Sequence, residues 1–350
     1  MTRSFWLAAA ALGAALMAAA PAWAAGACPP EGKVRYLCGP ANVEDLVQVP
    51  GSGWIIASGM VGPGLSAGRL YLIDSRARTS AELTLDVGGK PRAPYAAGPG
   101  APDLAKFAPH GVALRPGRDG RHTLYVVNHG GRESIEVFEV DVRGARPALR
   151  WIGCVLLPDG ASGNAVAPLP GGGFVATKFE QAGDPQAFQK MAALQPTGAL
   201  YVWRPAGGFR LVPGSEMSGA NGVEASPDGR WVFANAWPEK RVVRFDLSGR
   251  ARPVSVRLDF LPDNLRLGPD GKLVVAGQAS DMKTLLSCNQ AHCPHDWTAV
   301  TLDPVSMRVT PLLHERGTLA FSDATAAIRV GRDYWVGTYR GDRVAIVAAP

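Results

Sequence analysis

Residues 107–141, FAPHGVALRPGRDGRHTLYVVNHGGRESIEVFEVD, read as three short strands joined by two turns. The first strand begins just after His110. The second runs from Leu124 to Val127 and ends at Asn128-His129, and the third carries Ile135, Val137, Phe138 and Val140. Arg115-Pro116-Gly117 and Asp119-Gly120 supply the first turn, and Gly130-Gly131 supply the second. Strands joined by one hairpin run antiparallel, so the start of the first and the end of the second share an edge. His110 and His129 are therefore expected to be neighbours, and adjacent imidazoles can pass a proton near neutral pH.

The same phrase recurs along the chain. A polar head leads into a few apolar residues, then a Gly- or Pro-rich turn, then an apolar strand. It appears as VEDLVQVPGSGWIIASG from Val43, PHGVALRPGRDGRHTLYVVNH from Pro109 and NAVAPLPGGGFVATK from Asn164. It returns as NGVEASPDGRWVFANA from Asn221, DNLRLGPDGKLVVAG from Asp263 and DATAAIRVGRDYWVGT from Asp323. Each copy is followed by one more strand: RLYLID, IEVFEVD, ALYVWRP, RVVRFDL, TAVTLDP and RVAIVAA. Six copies at roughly 54 residues each match four-stranded propeller blades. A β-sandwich would not need one phrase six times, so the fold class is all-β, a six-bladed β-propeller forming a single domain over residues 25–350.

Residues 1–24 read as a signal peptide. Arg3 is the positive end, residues 5–20 are apolar, and Ala22-Trp23-Ala24 is a small-x-small cleavage site. Export to the periplasm or medium follows, with no integral membrane span after cleavage. The net charge is +6, and the Lys and Arg residues are scattered rather than clustered, which argues against nucleic acid as a partner. In an oxidising compartment Cys28–Cys38 and Cys288–Cys293 are the local disulfide pairs, and Cys154 is left free and buried. Forty-two glycines and 29 prolines among 47% hydrophobic residues mark many turns around a real core.

In a propeller the innermost strand of each blade lines a central channel, and its first residue sits at the channel mouth. The polar heads Glu44 (with Asp45), His110, Asn164, Asn221, Asp263-Asn264 and Asp323 should then converge. Glu44, Asn164, Asn221, Asp263 and Asn264 offer hard oxygens only, a set that suits Ca²⁺ better than Zn²⁺. Such an ion polarises a carbonyl and stabilises the oxyanion formed on attack. His110 is the candidate general base, with His129 holding its tautomer. His122, at the far end of the hairpin, and His314, in a polar connector, are expected to be solvated.

The FAPHGVALRPG…LYVVNHGGRESIEVFEV segment resembles the signature region of the paraoxonase/arylesterase family of calcium-dependent arylesterases and lactonases. The similarity continues through ANGVEASPDGRWVFANA, PDNLRLGPDGKLVVAG and GTLAFSDATAAIRVG…WVGT. The resemblance implies a six-bladed propeller, a catalytic Ca²⁺ in the channel and hydrolysis of small-molecule lactones and aryl esters. By motif, Glu44, Asn164, Asn221, Asp263 and Asn264 match the catalytic calcium ligands, and His110 and His129 match the histidine dyad. It also implies a second, structural calcium held partly by acidic residues adjacent to those ligands. Asp45 matches one, but Ala165 stands where the other should follow Asn164. Family members close the propeller with a disulfide to the last strand. This sequence ends RVAIVAAP without cysteine, so closure must rest on strand pairing.

Two stretches lie outside the repeat. Residues 179–195 (FEQAGDPQAFQKMAALQ) contain a short helix with Phe188, Met191 and Leu194 on one side, a candidate lid over the channel. CNQAHCPHDW from Cys288 has zinc-like spacing, although an exported protein favours the disulfide. No GxSxG elbow points to a serine hydrolase. A gluconolactonase or strictosidine-synthase-like propeller lacks the PHG…VVNH pairing, and a non-catalytic ligand-binding propeller is the rival from another class.

Overall fold

A computed structural model describes residues 27–62, 65–158, 160–288 and 293–350. Residues 1–26, which include the expected signal peptide, lie outside the described residues. The strands form six separate sheets. Their innermost strands are Val43–Gln48, Pro109–Arg115, Ala161–Pro168, Ala220–Ala225, Leu261–Leu267 and Ala324–Val330. Each packs against the innermost strands of both neighbouring sheets, and the sixth returns to the first. The ring is a six-bladed β-propeller, and each of the six repeated phrases forms the innermost hairpin of one blade.

Blade burial explains why the second strands read as continuous apolar runs rather than alternating ones. In Arg121–Asn128, Leu124 and Val126 pack towards the first blade, while Tyr125 and Val127 pack towards the third. Both faces of the strand are interior, so both sets of side chains must be apolar. The same holds around the ring, where one hydrophobic cluster fills each of the six gaps between blades.

The ring is closed by strand pairing, as expected from the C-terminal sequence. Val34–Cys38 pairs antiparallel with Arg343–Ala348, matching Arg35 to Ile346 and Leu37 to Val344. The sixth blade therefore combines an N-terminal hairpin, Ala27–Glu31 with Val34–Cys38, and three C-terminal strands. Cys28–Cys38 staples that hairpin, Cys288–Cys293 closes a second loop, and Cys154 is free and buried.

Each innermost strand carries a register irregularity of the bulge type at its polar head: Val43/Asp45, Pro109/Val112, Gly163/Val166, Ala220/Val223, Pro262/Leu265 and Ala324/Ala326. A bulge adds a residue against one on the partner strand and re-aims its side chain. Six bulges at one level thus supply side chains to the channel that a regular pleat would send into the gaps between blades.

Two α-helices occur among the described residues, and no helix there is long and apolar enough to cross a membrane. The expected short helix is present as Ala187–Ala192, but its buried face differs from expectation. Ala187 and Met191 are buried, whereas Phe188 is 44% and Leu194 56% exposed. Asp184-Pro185 delays the helix start, and Leu194 leaves it with φ of 55°, so the three apolar residues never share a helical face. Met191 instead packs with Leu261, the first residue of the fifth innermost strand, and with Met282 of a second helix, Met282–Leu286. That second helix was not expected, although Asp281 capping the Thr284 N–H at 2.8 Å is a local start signal. His122 is also corrected. It is buried, and its Nδ1 accepts from the Gly117 N–H at 3.1 Å, because the turn folds back over it. His314 is exposed as expected, on a strand rather than in a connector.

Candidate active site

All five expected oxygen donors are buried and meet at the channel mouth: Glu44, Asn164, Asn221, Asp263 and Asn264. Asn264 Nδ2 donates to Glu44 Oε1 at 2.6 Å, bridging the fifth and first blades. Glu44 Oε1 also lies 3.6 Å from His110 Nε2, and Asn164 Nδ2 lies 3.2 Å from the same nitrogen. Asn221 hydrogen-bonds Asp263, whose Oδ2 also accepts from Gln278 Nε2 at 2.8 Å.

The amide nitrogens are thus used as donors, and the opposing oxygens are left over. Glu44 Oε2, Asn164 Oδ1, Asn221 Oδ1 and Asn264 Oδ1 are buried without a hydrogen-bond partner. Buried acceptors rarely stay unsatisfied, and leaving one unpaired costs about 1–3 kcal/mol. Four together, on the innermost strands of four blades, are the donor set that a hard cation would satisfy. Among the described residues no three His, Cys, Asp or Glu side chains gather to hold a metal, so a site here depends on amide oxygens. Burial, followed by the charge of Glu44, pushes the Asp263 carboxyl well above the ordinary carboxylate range. Burial pulls the His110 imidazole down, but Glu44, Asp263 and Asp45 outweigh it and raise its pKa.

Close approach of the innermost strands requires glycine after the polar head at two positions. A Cβ on Gly111 would lie 2.4 Å from the Asn164 carbonyl oxygen, and one on Gly222 2.5 Å from that of Asp263. The H-G and N-G pairs of the repeat therefore let one strand's head residue sit against its neighbour's.

The two histidines meet as the hairpin predicts. His110 Nδ1 lies 2.9 Å from His129 Nε2, with the rings edge to face. The structure adds Glu133, which sequence reasoning missed. Its carboxylate lies 2.9 and 3.0 Å from His129 Nδ1 and accepts from the Gly163 N–H at 3.1 Å. Asn164 donating to His110 Nε2 implies a proton on His110 Nδ1, and Glu133 implies one on His129 Nδ1. The chain Asn164–His110–His129–Glu133 is then consistent from end to end.

Asp323 does not join the oxygen cluster. It is fully buried at φ of 53°, with Oδ1 2.7 Å from His295 Nδ1. His295 comes from the Cys288 stretch, whose two thiols form a disulfide, while His292 of that stretch lies outside the described residues.

A family model described as Arylesterase matches residues 38–341. Serum paraoxonase/arylesterase 1 from Homo sapiens is 24% identical over 307 residues, covering 83% of this chain and 81% of that protein. Among solved structures, a putative gluconolactonase superposes with a TM-score of 0.53 at 14% identity, covering 92% of this chain and 94% of that one. The WD40 repeats of RRP9 reach the same TM-score at 12% identity, covering 93% and 99%. At such identities the two structures speak for the propeller fold alone.

Proposed function

This chain belongs to the arylesterase family, and from that premise we propose that it is an exported, calcium-dependent hydrolase of lactones or aryl esters. The observation that carries the proposal is the set of four buried, unpartnered oxygens contributed by four blades. Glu44, Asn164, Asn221, Asp263 and Asn264 would hold the ion, which when bound supplies electrophilic polarisation of the substrate carbonyl and stabilises charge developing on its oxygen.

The chain's own residues supply the base. The His110 side chain keeps 15% exposure, and its Nε2 points at the oxygen cluster, where it can accept a proton from water. Its Nδ1–H remains bonded to His129, whose own Nδ1–H is held by Glu133. The positive charge that develops is thereby spread towards a carboxylate. The two disulfides support residence in an oxidising compartment.

The test is hydrolysis of phenyl acetate and a panel of lactones by EDTA-stripped and calcium-restored protein. Activity should vanish on stripping and return with calcium, and His110→Gln should lower kcat by about 10²- to 10⁴-fold. Unchanged turnover without calcium would remove the metal from the proposal. Full turnover by His110→Gln would remove the base. Stabilisation by calcium with no turnover on any substrate would leave a ligand-binding propeller.

A further inference from the structure

We propose that Arg266 is a built-in cation of the channel, standing where the family resemblance implies a second calcium ion, so that this chain takes one ion rather than two. Asp45 follows Glu44 and is fully buried on the first innermost strand. Its Oδ1 accepts from the Leu46 N–H at 2.8 Å, and its Oδ2 accepts from the Val112 N–H at 2.8 Å. The same Oδ2 accepts from Arg266 Nη2, which also donates to the Val112 carbonyl, and Arg266 Nη1 donates to the Leu265 carbonyl at 2.9 Å. Those carboxylate and carbonyl oxygens are the hard donors that a second ion at this level would need.

The charge balance agrees. Ala165, fully buried, brings a methyl group where the resemblance calls for a second carboxylate, and its N–H bonds Thr177 Oγ1 at 2.9 Å. The guanidinium offsets Asp45, whereas a divalent ion added beside it would set two cations against each other in a buried site. Calcium also requires six to eight oxygens, and Arg266 already engages Asp45 Oδ2 and the Val112 and Leu265 carbonyls. The guanidinium reaches in from the opposite mouth of the channel, where Arg266 and Glu224 line a cleft, and its charge acts on Glu224 as well.

Placement gives the contact its consequence. Arg266 lies two residues beyond Asn264, Val112 two beyond His110, and Asp45 one beyond Glu44. One side chain therefore ties the first, second and fifth innermost strands together directly beneath the oxygen cluster and the histidine, without an exchangeable ion. The count of one ion rests on the proposed calcium site, whereas the Arg266 contacts stand without it.

The experiment has two arms on the full chain. Calorimetric titration of EDTA-stripped protein with CaCl₂ should give one ion per chain, and two would overturn the proposal. Melting temperatures in EDTA are then compared for Arg266→Met, Asp45→Asn and the double variant. Arg266→Met should lose roughly 10 °C, because it strands a buried carboxylate. The double variant should lose clearly less than the two single losses combined, and Arg266→Lys should recover part of the loss. Additive losses would overturn the pairing. Should Arg266→Met fail to fold, recovery of folding in the double variant carries the same meaning. Binding of no ion at all would overturn the calcium site and with it the count of one, while the variant comparison still tests the pairing of Arg266 with Asp45.

Discussion

Glu133 changes what the paired histidines can do. Two neutral imidazoles in contact can share a proton, but a carboxylate behind the second gives the pair a direction, from the oxygen cluster outward. Removing that charge should make the imidazolium form of the pair less favourable. For Glu133→Gln we expect kcat to fall about tenfold with little change in KM, a modest share of what a general base contributes. The acid limb of the kcat–pH profile should move to lower pH, because the neutral base survives further into acid. An acid limb that stays in place would detach Glu133 from the proton path. The histidines were legible from the hairpin, but Glu133 was not. It lies four residues beyond His129 across Gly130-Gly131, and only the folded turn brings its carboxylate back onto the ring.

At the level of elements, the working unit is the bulged head of each innermost strand. Repeat phrasing located all six heads, because each begins where an apolar strand meets a polar residue. The bulges themselves left no mark in the pattern, since one extra residue in a short strand looks the same as ordinary alternation. Their tightness can be tested at Gly222. A Cβ there would meet the Asp263 carbonyl oxygen at 2.5 Å and Asn264 Cα at 2.7 Å, both parts of a neighbouring backbone. Gly222→Ala should therefore cost about 1–3 kcal/mol of stability and displace two of the proposed ligands, with a matching loss of calcium affinity. Gly207→Ala, whose new methyl meets only the tip of Arg210 at 3.7 Å, is the control expected to leave both unchanged. Equal effects at the two glycines would show that strand spacing does not hold the ligands. The helix Ala187–Ala192 shows the complementary limit, because its apolar residues were visible but the positions that face inward depended on where Pro185 let the helix begin.

For the whole molecule, the channel concentrates buried acids that a ring of neutral blades cannot compensate alone. Asp263 and His110 both bind protons more tightly in the folded chain than their ordinary values would give. Stability of the calcium-free protein should therefore fall as pH rises from the carboxylate range, near 4, through the histidine range. A bound divalent ion offsets the ionised carboxylates, so its stabilisation should grow with pH. An ion at a hundredfold excess over its Kd contributes about 2.7 kcal/mol. Melting curves at about pH 5 and about pH 8, with and without calcium, should show a gap that widens at the higher pH. A gap that stays constant or narrows would separate calcium from these acids.

The amino-acid sequence by itself determined the blade count, the strand pairs, the disulfide partners and the level at which polar residues gather. All of these follow from local periodicity, turn chemistry and repetition, which a linear pattern carries intact. Tertiary structure alone decided which atoms of those residues are left without partners, that Glu133 completes the histidine pair, and that Arg266 reaches Asp45. Asp45 and Arg266 are 221 residues apart in sequence. Only closure of the ring, by pairing Val34–Cys38 with Arg343–Ala348, brings strands from opposite ends of the repeat series to one channel. Contacts made across that channel depend on the summed geometry of six blades, and no single stretch of sequence contains it.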